Sequence, residues 1–189
     1  MKIGVYVGSF NPVHKGHMIM ANYIVDNNLV DKLLVIPTGN YWDKKDLASL
    51  EDRTRMLRFY ETDKIIIDNE FSNLQYTYLV INELKKEYKN DELYLIIGAD
   101  NIILFDKWKH YEDLLKLELI IVQREDIDIE YFLRKLGKTQ KVVIINDIVG
   151  FTVSSTLARN NIDNPEVLKE YLDQDVIEYI LQRKLYRAW

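Results

Sequence analysis

The sequence predicts an α/β fold, with a mostly parallel β-sheet, helices on both faces and a helical C-terminal extension. Short apolar runs rich in branched residues recur along the chain, and stretches with helical periodicity separate them. Strands that alternate with helices are typical of parallel sheets, because a parallel return needs a long crossover that a helix usually forms. We expect these crossovers to be right-handed.

Six apolar runs of strand length are the expected strands. They are Ile3–Val7, Lys32–Pro37, Ile65–Ile67, Leu93–Ile97, Leu119–Val122 and Val142–Ile145. In open α/β sheets of the Rossmann-like kind, ligands bind beyond the carboxyl ends of the strands. The regions of Gly8, Pro37, Gly98 and Gly150 all follow strands, so we expect them to converge on one cleft.

Four of the intervening segments have helical periodicity. They are His17–Asn27, Glu51–Tyr60, Tyr76–Tyr88 and Asp128–Leu136. Ser49 before the second helix, with Asp52 three residues later, has the spacing of a capping box. We expect one domain over residues 1–189, in which the last helices, about Pro165–Leu185, belong to a helical part that starts near residue 154.

The overall composition excludes several classes of protein. A chain of 189 residues with 48% hydrophobic residues can form one domain with a core. A net charge of −5 weighs against non-specific nucleic-acid binding, so mononucleotides are the better match. The absence of cysteine excludes disulfides and thiol chemistry. Because neither a signal-peptide pattern nor a bilayer-length apolar run is present, we expect a cytoplasmic protein without membrane contact.

A strand-loop-helix element near the N-terminus is the expected active site. Its loop reads Gly8-Ser9-Phe10-Asn11-Pro12-Val13-His14-Lys15-Gly16-His17. Small and turn-forming residues let backbone N–H groups approach an anion, and a helix N-terminus attracts negative charge. Two histidines, His14 and His17, indicate phosphate transfer; the alternative is a turn with two solvated histidines. Neither a P-loop nor a dinucleotide fingerprint is present.

These ten residues resemble the Gly-Ser-Phe-Asp-Pro-x-His-x-Gly-His signature of the nucleotidyltransferase superfamily, whose members transfer a nucleotidyl group from a nucleoside triphosphate. The resemblance implies that His14 and His17 contact the triphosphate and that His17 stabilises the α-phosphate. It also implies nucleotide contacts at Gly8, Ser9, Phe10 and Gly16. If the acceptor is a phosphate monoester, its oxygen needs no base, and catalysis can rest on positioning and electrostatic stabilisation.

A second segment, Val153-Ser154-Ser155-Thr156-Leu157-Ala158-Arg159, resembles the superfamily's Ile-Ser-Ser-Thr-x-x-Arg helix entry. The resemblance implies ATP contacts at Ser154, Ser155, Thr156 and Arg159. Ser155 and Arg159 are four residues apart and would share a helix face, where they could grip the β- and γ-phosphates. The alternative is an ordinary N-cap followed by a surface arginine.

The acceptor side resembles the bacterial nicotinate-nucleotide adenylyltransferases, through Gly98-Ala99-Asp100-Asn101 and Trp108 and through further agreements along the whole chain, such as the Tyr76-Thr77 pair. The resemblance implies that Asp100 holds the nucleotide and that Trp108 stacks on the pyridine ring. Backbone amides near Thr77 could read the ring's carboxylate. For Trp108 the alternative is simple packing of a helix on the sheet.

Two departures from this family concern the acceptor site and the loop of residues 8–17, which we call the phosphate loop. Tyr41-Trp42-Asp43-Lys44 stands where the family has Pro-Pro-His-Lys, which puts a carboxylate near an acceptor phosphate, with Lys44 as the expected acceptor contact. Asn11 replaces a more frequent aspartate.

Three alternatives stay open: nicotinamide mononucleotide as acceptor, pantetheine phosphate as acceptor, and a nucleotide sensor without turnover. We expect that no metal ion is held by the protein itself and that Mg²⁺ binds together with ATP. The expected second substrate is nicotinate mononucleotide. A homo-oligomer is compatible with the sequence.

Overall fold

The computed structural model describes residues 1–41, 46–146 and 153–187. One sheet contains six strands: β1 (Lys2–Gly8), β2 (Lys32–Pro37), β3 (Ile65–Ile67), β4 (Glu92–Gly98), β5 (Glu118–Val122) and β6 (Val142–Ile145). The strand order is β3-β2-β1-β4-β5-β6, and every neighbouring pair is parallel. The expected sheet is therefore confirmed, with each strand end within one residue of its predicted position. The order reverses between β1 and β4, where such sheets bind ligands.

The helices are α1 (Lys15–Asp26), α2 (Leu50–Arg58), α3 (Thr77–Glu87), α4 (Ala99–Ile103), α5 (Tyr111–Leu114), α6 (Ile129–Lys135), α7 (Ser155–Asn160), α8 (Pro165–Tyr171) and α9 (Gln174–Arg183). A 3₁₀ turn, Phe105–Lys107, lies between α4 and α5. The four expected helices correspond to α1, α2, α3 and α6. The elements between β4 and β5 were not expected, because three to five residues are too few to show a helical period. Within the described ranges, no helix has the length and apolar character needed to cross a membrane.

Side chains alternate across the sheet and build a core on each face. Along β2, Leu33 and Val35 pack with α1, α2, α8 and α9, whereas Leu34 and Ile36 pack with α3, α4 and α6. Helices on both faces, and a C-terminal helical part packed on one of them, are thus confirmed. Since both faces of the sheet are covered, the strand ends are left to form the cleft.

Asp52 in α2 anchors the C-terminal helices. The Ser49 hydroxyl accepts a bond from the Asp52 backbone N–H at 3.0 Å, but it also donates to the Asp52 carboxylate at 2.7 Å, so the expected reciprocal bond to the Ser49 backbone is replaced. The same carboxylate accepts from the Tyr179 hydroxyl at 2.7 Å and from Nε of Arg183 at 3.2 Å. The start of α2 and the helix α9 are therefore tied together through one carboxylate.

Candidate active site

A cavity of about 740 Å³ opens at the carboxyl ends of β1, β2 and β4. Its walls come from the ends of these strands, the start of α3 and the 3₁₀ region: Val7, Gly8, Ser9, Thr38, Gln75, Tyr76, Thr77, Asn101, Lys107, Trp108, Lys109 and Leu114. Three of the four regions expected to converge, those after β1, β2 and β4, therefore meet in one cleft. The fourth, around Gly150, lies outside the described residues. The volume is that of a site for a small organic molecule.

His14 and His17 cap the start of α1 through each other. His14 is the N-cap residue; its backbone N–H donates to Nδ1 of His17 at 3.1 Å, and the backbone N–H of His17 donates to Nδ1 of His14 at 3.2 Å. The two rings are stacked, with centroids 3.6 Å apart and planes 21° apart. Because both Nδ1 atoms accept, each neutral ring carries its proton on Nε2. The pair thus presents two Nε2–H donors.

Both histidines line a small cavity of about 30 Å³, and Gly16 and Arg124 line it as well. Arg124 lies two residues after the end of β5, and it donates to the Val153 carbonyl at 3.3 Å, just before α7. The sequence analysis did not identify Arg124 as a site residue. Its position just beyond the end of a strand is a signal that could have found it, since Gly8 was named on the same ground. Its guanidinium brings a permanent positive charge to the histidine pair.

The electrostatics of this corner favour an anion. Burial, reinforced by the Arg124 charge, lowers the pKa of His14 to about 4. Burial, followed by His14 and Arg124, lowers the pKa of His17 well below its usual range. Both rings are therefore neutral donors near pH 7. They stand at the positive end of α1, whose first turn contains no acidic residue.

Phe10 fills the space beneath the phosphate loop. It is buried, has a left-handed φ of 48°, and packs edge-on against Tyr6 and His17, with centroids 5.1 and 4.9 Å away. A Cβ on Gly8 would lie 3.1 Å from the Phe10 ring, a tight contact that the ring would have to relieve by a small shift. The contacts of the Phe10 ring are all with other residues of the protein. Nucleotide contacts at Gly8 and Phe10 therefore stay predictions.

The second motif docks on this same loop. The Ser155 hydroxyl donates to the Pro12 carbonyl at 2.9 Å, and a terminal nitrogen of Arg159 donates to the Asn11 carbonyl at 2.8 Å. The prediction that Ser155 and Arg159 share one helix face is confirmed. Two distant parts of the chain thus form one corner of the site.

The remaining hydroxyls of this motif act within α7. Ser154 is the N-cap residue, and its hydroxyl accepts from the Leu157 backbone N–H at 3.1 Å. Thr156 is exposed, and its hydroxyl accepts from Arg159 at 3.3 Å. Ser154 therefore has the N-cap role that the sequence analysis gave as the alternative to ATP binding. Contacts of Ser154 or Thr156 with ATP stay predictions.

Arg53 connects the phosphate loop to the segment after β2. Its side chain is fully buried, and Nε donates to the Ala48 carbonyl at 3.0 Å. One terminal nitrogen donates to the Ser9 carbonyl at 2.8 Å, and the other to the Thr38 carbonyl at 2.7 Å and to Oδ1 of Asn40 at 3.0 Å. Ser9 and Thr38 both line the large cavity. Arg53 therefore sets the spacing of two of its walls.

Asn11 holds the other end of this segment. Its amide nitrogen donates to the Asp46 carbonyl at 2.9 Å, and its amide oxygen accepts from the Ala48 backbone N–H at 3.0 Å. An ionised aspartate can only accept, so the departure from the family at Asn11 supplies a donor that aspartate lacks. The predicted acceptor contact Lys44, together with the neighbouring Asp43, lies outside the described residues.

The predicted acceptor residues Trp108 and Thr77 line the large cavity together. Trp108 is half-buried against Phe105, with ring centroids 5.0 Å apart. It therefore packs against the protein and also lines the large cavity. Asp100 lies at the start of α4 on the end of β4, where a Cβ on Gly98 would come within 2.6 Å of its carboxylate.

The comparisons with known proteins agree with this geometry. A family model described as cytidylyltransferase-like matches residues 5–161. A probable nicotinate-nucleotide adenylyltransferase of Flavobacterium johnsoniae is 32% identical over 99% of this chain and 100% of its own, and one of Borrelia turicatae is 33% identical over 98% of each chain. The chain belongs to the nicotinate-nucleotide adenylyltransferases, within the cytidylyltransferase-like family. It is therefore a nucleotidyltransferase enzyme, as the two motifs predicted.

Solved structures of this family share the fold. The Plasmodium falciparum nicotinic acid mononucleotide adenylyltransferase complexed with NaAD aligns with a TM-score of 0.86 at 25% identity, covering 98% of this chain and 97% of that one. A Vibrio parahaemolyticus structure described as a putative nicotinate-nucleotide adenylyltransferase aligns with a TM-score of 0.67 at 17% identity, over 100% and 96% of the two chains. The expected Rossmann-like architecture is thus confirmed across the described chain.

Proposed function

We propose that the protein transfers AMP from ATP to nicotinate mononucleotide, which yields deamido-NAD and pyrophosphate in NAD biosynthesis. The observation that carries this proposal is the neutral His14–His17 pair at the N-terminus of α1, close to Arg124. The end of β1 joins this corner to the large cavity, since Tyr6 lines the small cavity and Val7 the large one.

In the proposed reaction, a phosphate oxygen of the mononucleotide attacks the α-phosphorus of ATP. A new P–O bond forms, the bond from the α-phosphorus to the bridging oxygen breaks, and pyrophosphate leaves with that electron pair. No proton has to be removed from the attacking oxygen. Negative charge grows on the α-phosphate and on the leaving group, where Nε2–H of His17, Nε2–H of His14 and the Arg124 guanidinium would stabilise it.

The start of α7 would hold the departing phosphates. Arg159 uses two of its nitrogens on Asn11 and Thr156, and a guanidinium has five N–H donors, so some remain for phosphate oxygens. Ser155 is fixed on the same loop. Asp100 would bind the nucleotide, while Lys44, Thr77 and Trp108 would bind the acceptor.

Magnesium would enter with ATP, held by phosphate oxygens and water. Among the described residues, no group of three His, Asp or Glu side chains is arranged to hold a metal ion. A cytoplasmic location and a single domain over residues 1–189 belong to the same proposal.

The direct test is pyrophosphate release with ATP, magnesium and a panel of acceptors. We expect the highest kcat/KM with nicotinate mononucleotide, followed by nicotinamide mononucleotide, and no turnover with pantetheine phosphate. A preference for pantetheine phosphate would overturn the acceptor assignment. Nucleotide binding without pyrophosphate release from any acceptor would instead support a sensor.

A further inference from the structure

Two lysines line the large cavity beside Trp108 and Tyr76. Lys107 and Lys109 flank Trp108 in the chain, and all three residues line the cavity. The ammonium of Lys109 lies 4.7 Å from the centroid of the Tyr76 ring, one residue before Thr77. None of the residues described as lining this cavity is acidic. The compartment expected to receive the pyridine ring therefore carries a local positive charge, in a chain whose net charge is −5.

The segment that carries Lys109 is packed against the start of α3. The His110 ring lies 4.3 Å from the Tyr78 ring, and the Trp108 backbone N–H donates to the Phe105 carbonyl at 3.0 Å. Contact of Lys109 with Tyr76 adds a second link between the same two segments. These contacts hold the ammonium at the edge of the compartment.

We infer that Lys109 is a specificity-determining residue that selects an acceptor ring bearing a carboxylate over one bearing an amide; this inference rests on the proposed function. An ammonium has three N–H donors, and the face of Tyr76 can occupy only one of them. A carboxylate on a ring stacked against Trp108 would accept one of the others. Such charge-assisted hydrogen bonds are about twice as strong as neutral ones. A carboxamide has no net charge, so it gains far less from the same lysine.

Asp106 and Glu112 lie three residues before and after Lys109 in the chain, but neither lines the cavity. Asp113, in the helix that follows, is paired with Lys116 at 2.9 Å. Lys109 is exposed, so its charge is screened by water when no ring is bound. A bound ring would displace part of this water, which strengthens the interaction at the moment when discrimination is needed.

The test is the ratio of kcat/KM for nicotinate mononucleotide to kcat/KM for nicotinamide mononucleotide. Lys109→Gln should lower this ratio roughly tenfold, which corresponds to about 1.4 kcal/mol, mainly through the KM for the acid, with the KM for ATP unchanged. Lys109→Glu should lower it further, to a preference for the amide. Lys89→Gln is the matched control, because Lys89 is exposed just beyond the far end of α3, about 18 Å along the helix axis from Thr77.

A ratio that stays at the wild-type value in both Lys109 variants would overturn the inference while leaving the proposed function intact. If the wild-type enzyme turns over neither pyridine mononucleotide, the proposed function fails and the inference fails with it. As a second readout, rising salt should erode the wild-type preference but not that of Lys109→Gln, because the preference is electrostatic. Equal salt dependence in the two proteins would also count against Lys109.

Discussion

His14 and His17 each accept, on Nδ1, the backbone N–H of the other, and their rings stack 3.6 Å apart. This exchange satisfies two backbone N–H groups at the start of α1 without a serine or an acid. It also leaves Nε2–H as the remaining donor on each ring. One arrangement therefore caps a helix and prepares two neutral donors for phosphate.

His17 can be separated into its two roles by choice of substitution. We expect His17→Ala to lower kcat by about 10²–10³, the range for loss of one preorganised donor. His17→Asn keeps a side-chain oxygen that can accept from the His14 N–H, so it should restore helix stability but not turnover. Pyrophosphate release and thermal unfolding measure the two effects. A folded His17→Ala enzyme with near-normal kcat would refute the assignment.

The depressed pKa of His14 predicts how stability depends on pH. The pKa is about 4 in the folded protein and 6.5 for an ordinary histidine. Between these values the unfolded chain binds more protons, so this contribution is complete above pH 6.5 and is lost as the pH falls toward 4. The loss from His14 alone should reach about 3 kcal/mol, and His17, whose pKa is also lowered, adds to it. Urea unfolding at a series of pH values measures it.

His14→Asn is the matched control for this titration, because asparagine caps helices well and does not titrate. The stability difference between wild type and His14→Asn should shrink as the pH falls from 7 to 4. Parallel curves for the two proteins would show that His14 does not carry the pH dependence.

Arg53→Ala should destabilise the fold by about 3–5 kcal/mol, because it removes a fully buried side chain and leaves the carbonyls of Ser9, Thr38 and Ala48 without their donor. Arg53→Lys should recover only part of this, since lysine lacks the planar fork. Arg55→Ala is the control on the same helix; its exposed ion pair with Glu51 should cost less than about 1 kcal/mol. Similar unfolding midpoints for Arg53→Ala and Arg55→Ala would contradict this view.

The strands were predictable because branched apolar residues alternate across a doubly covered sheet, as Leu33 to Ile36 do in β2. The histidines and Ser155 were predictable because contiguous motifs carry them. Arg124 was not, since a lone arginine after a strand has no motif, and its role depends on β5 lying two strands away from β1.

Side-chain directions were beyond the sequence as well. Nothing in the spacing of His14 and His17 indicates that each ring bonds the other's backbone, because this depends on two rotamers. The Lys109 ammonium lies over the Tyr76 ring, and this contact joins two segments far apart in the chain, so no local pattern indicates it. His110 is exposed, but it also packs on Tyr78.

Substitution of Trp108 tests whether the large cavity binds the acceptor. One side of its ring packs on Phe105, and the residue also lines the cavity with Thr77. Trp108→Ala should raise KM for nicotinate mononucleotide much more than KM for ATP, because a lost stacking face weakens ground-state and transition-state binding alike. Trp108→Phe keeps an aromatic face and should restore most of the affinity. Steady-state kinetics with each substrate varied in turn make the comparison. If Trp108→Ala leaves the mononucleotide KM untouched while the protein stays folded, the tryptophan only packs the 3₁₀ turn, and the pyridine ring must bind elsewhere in the cleft.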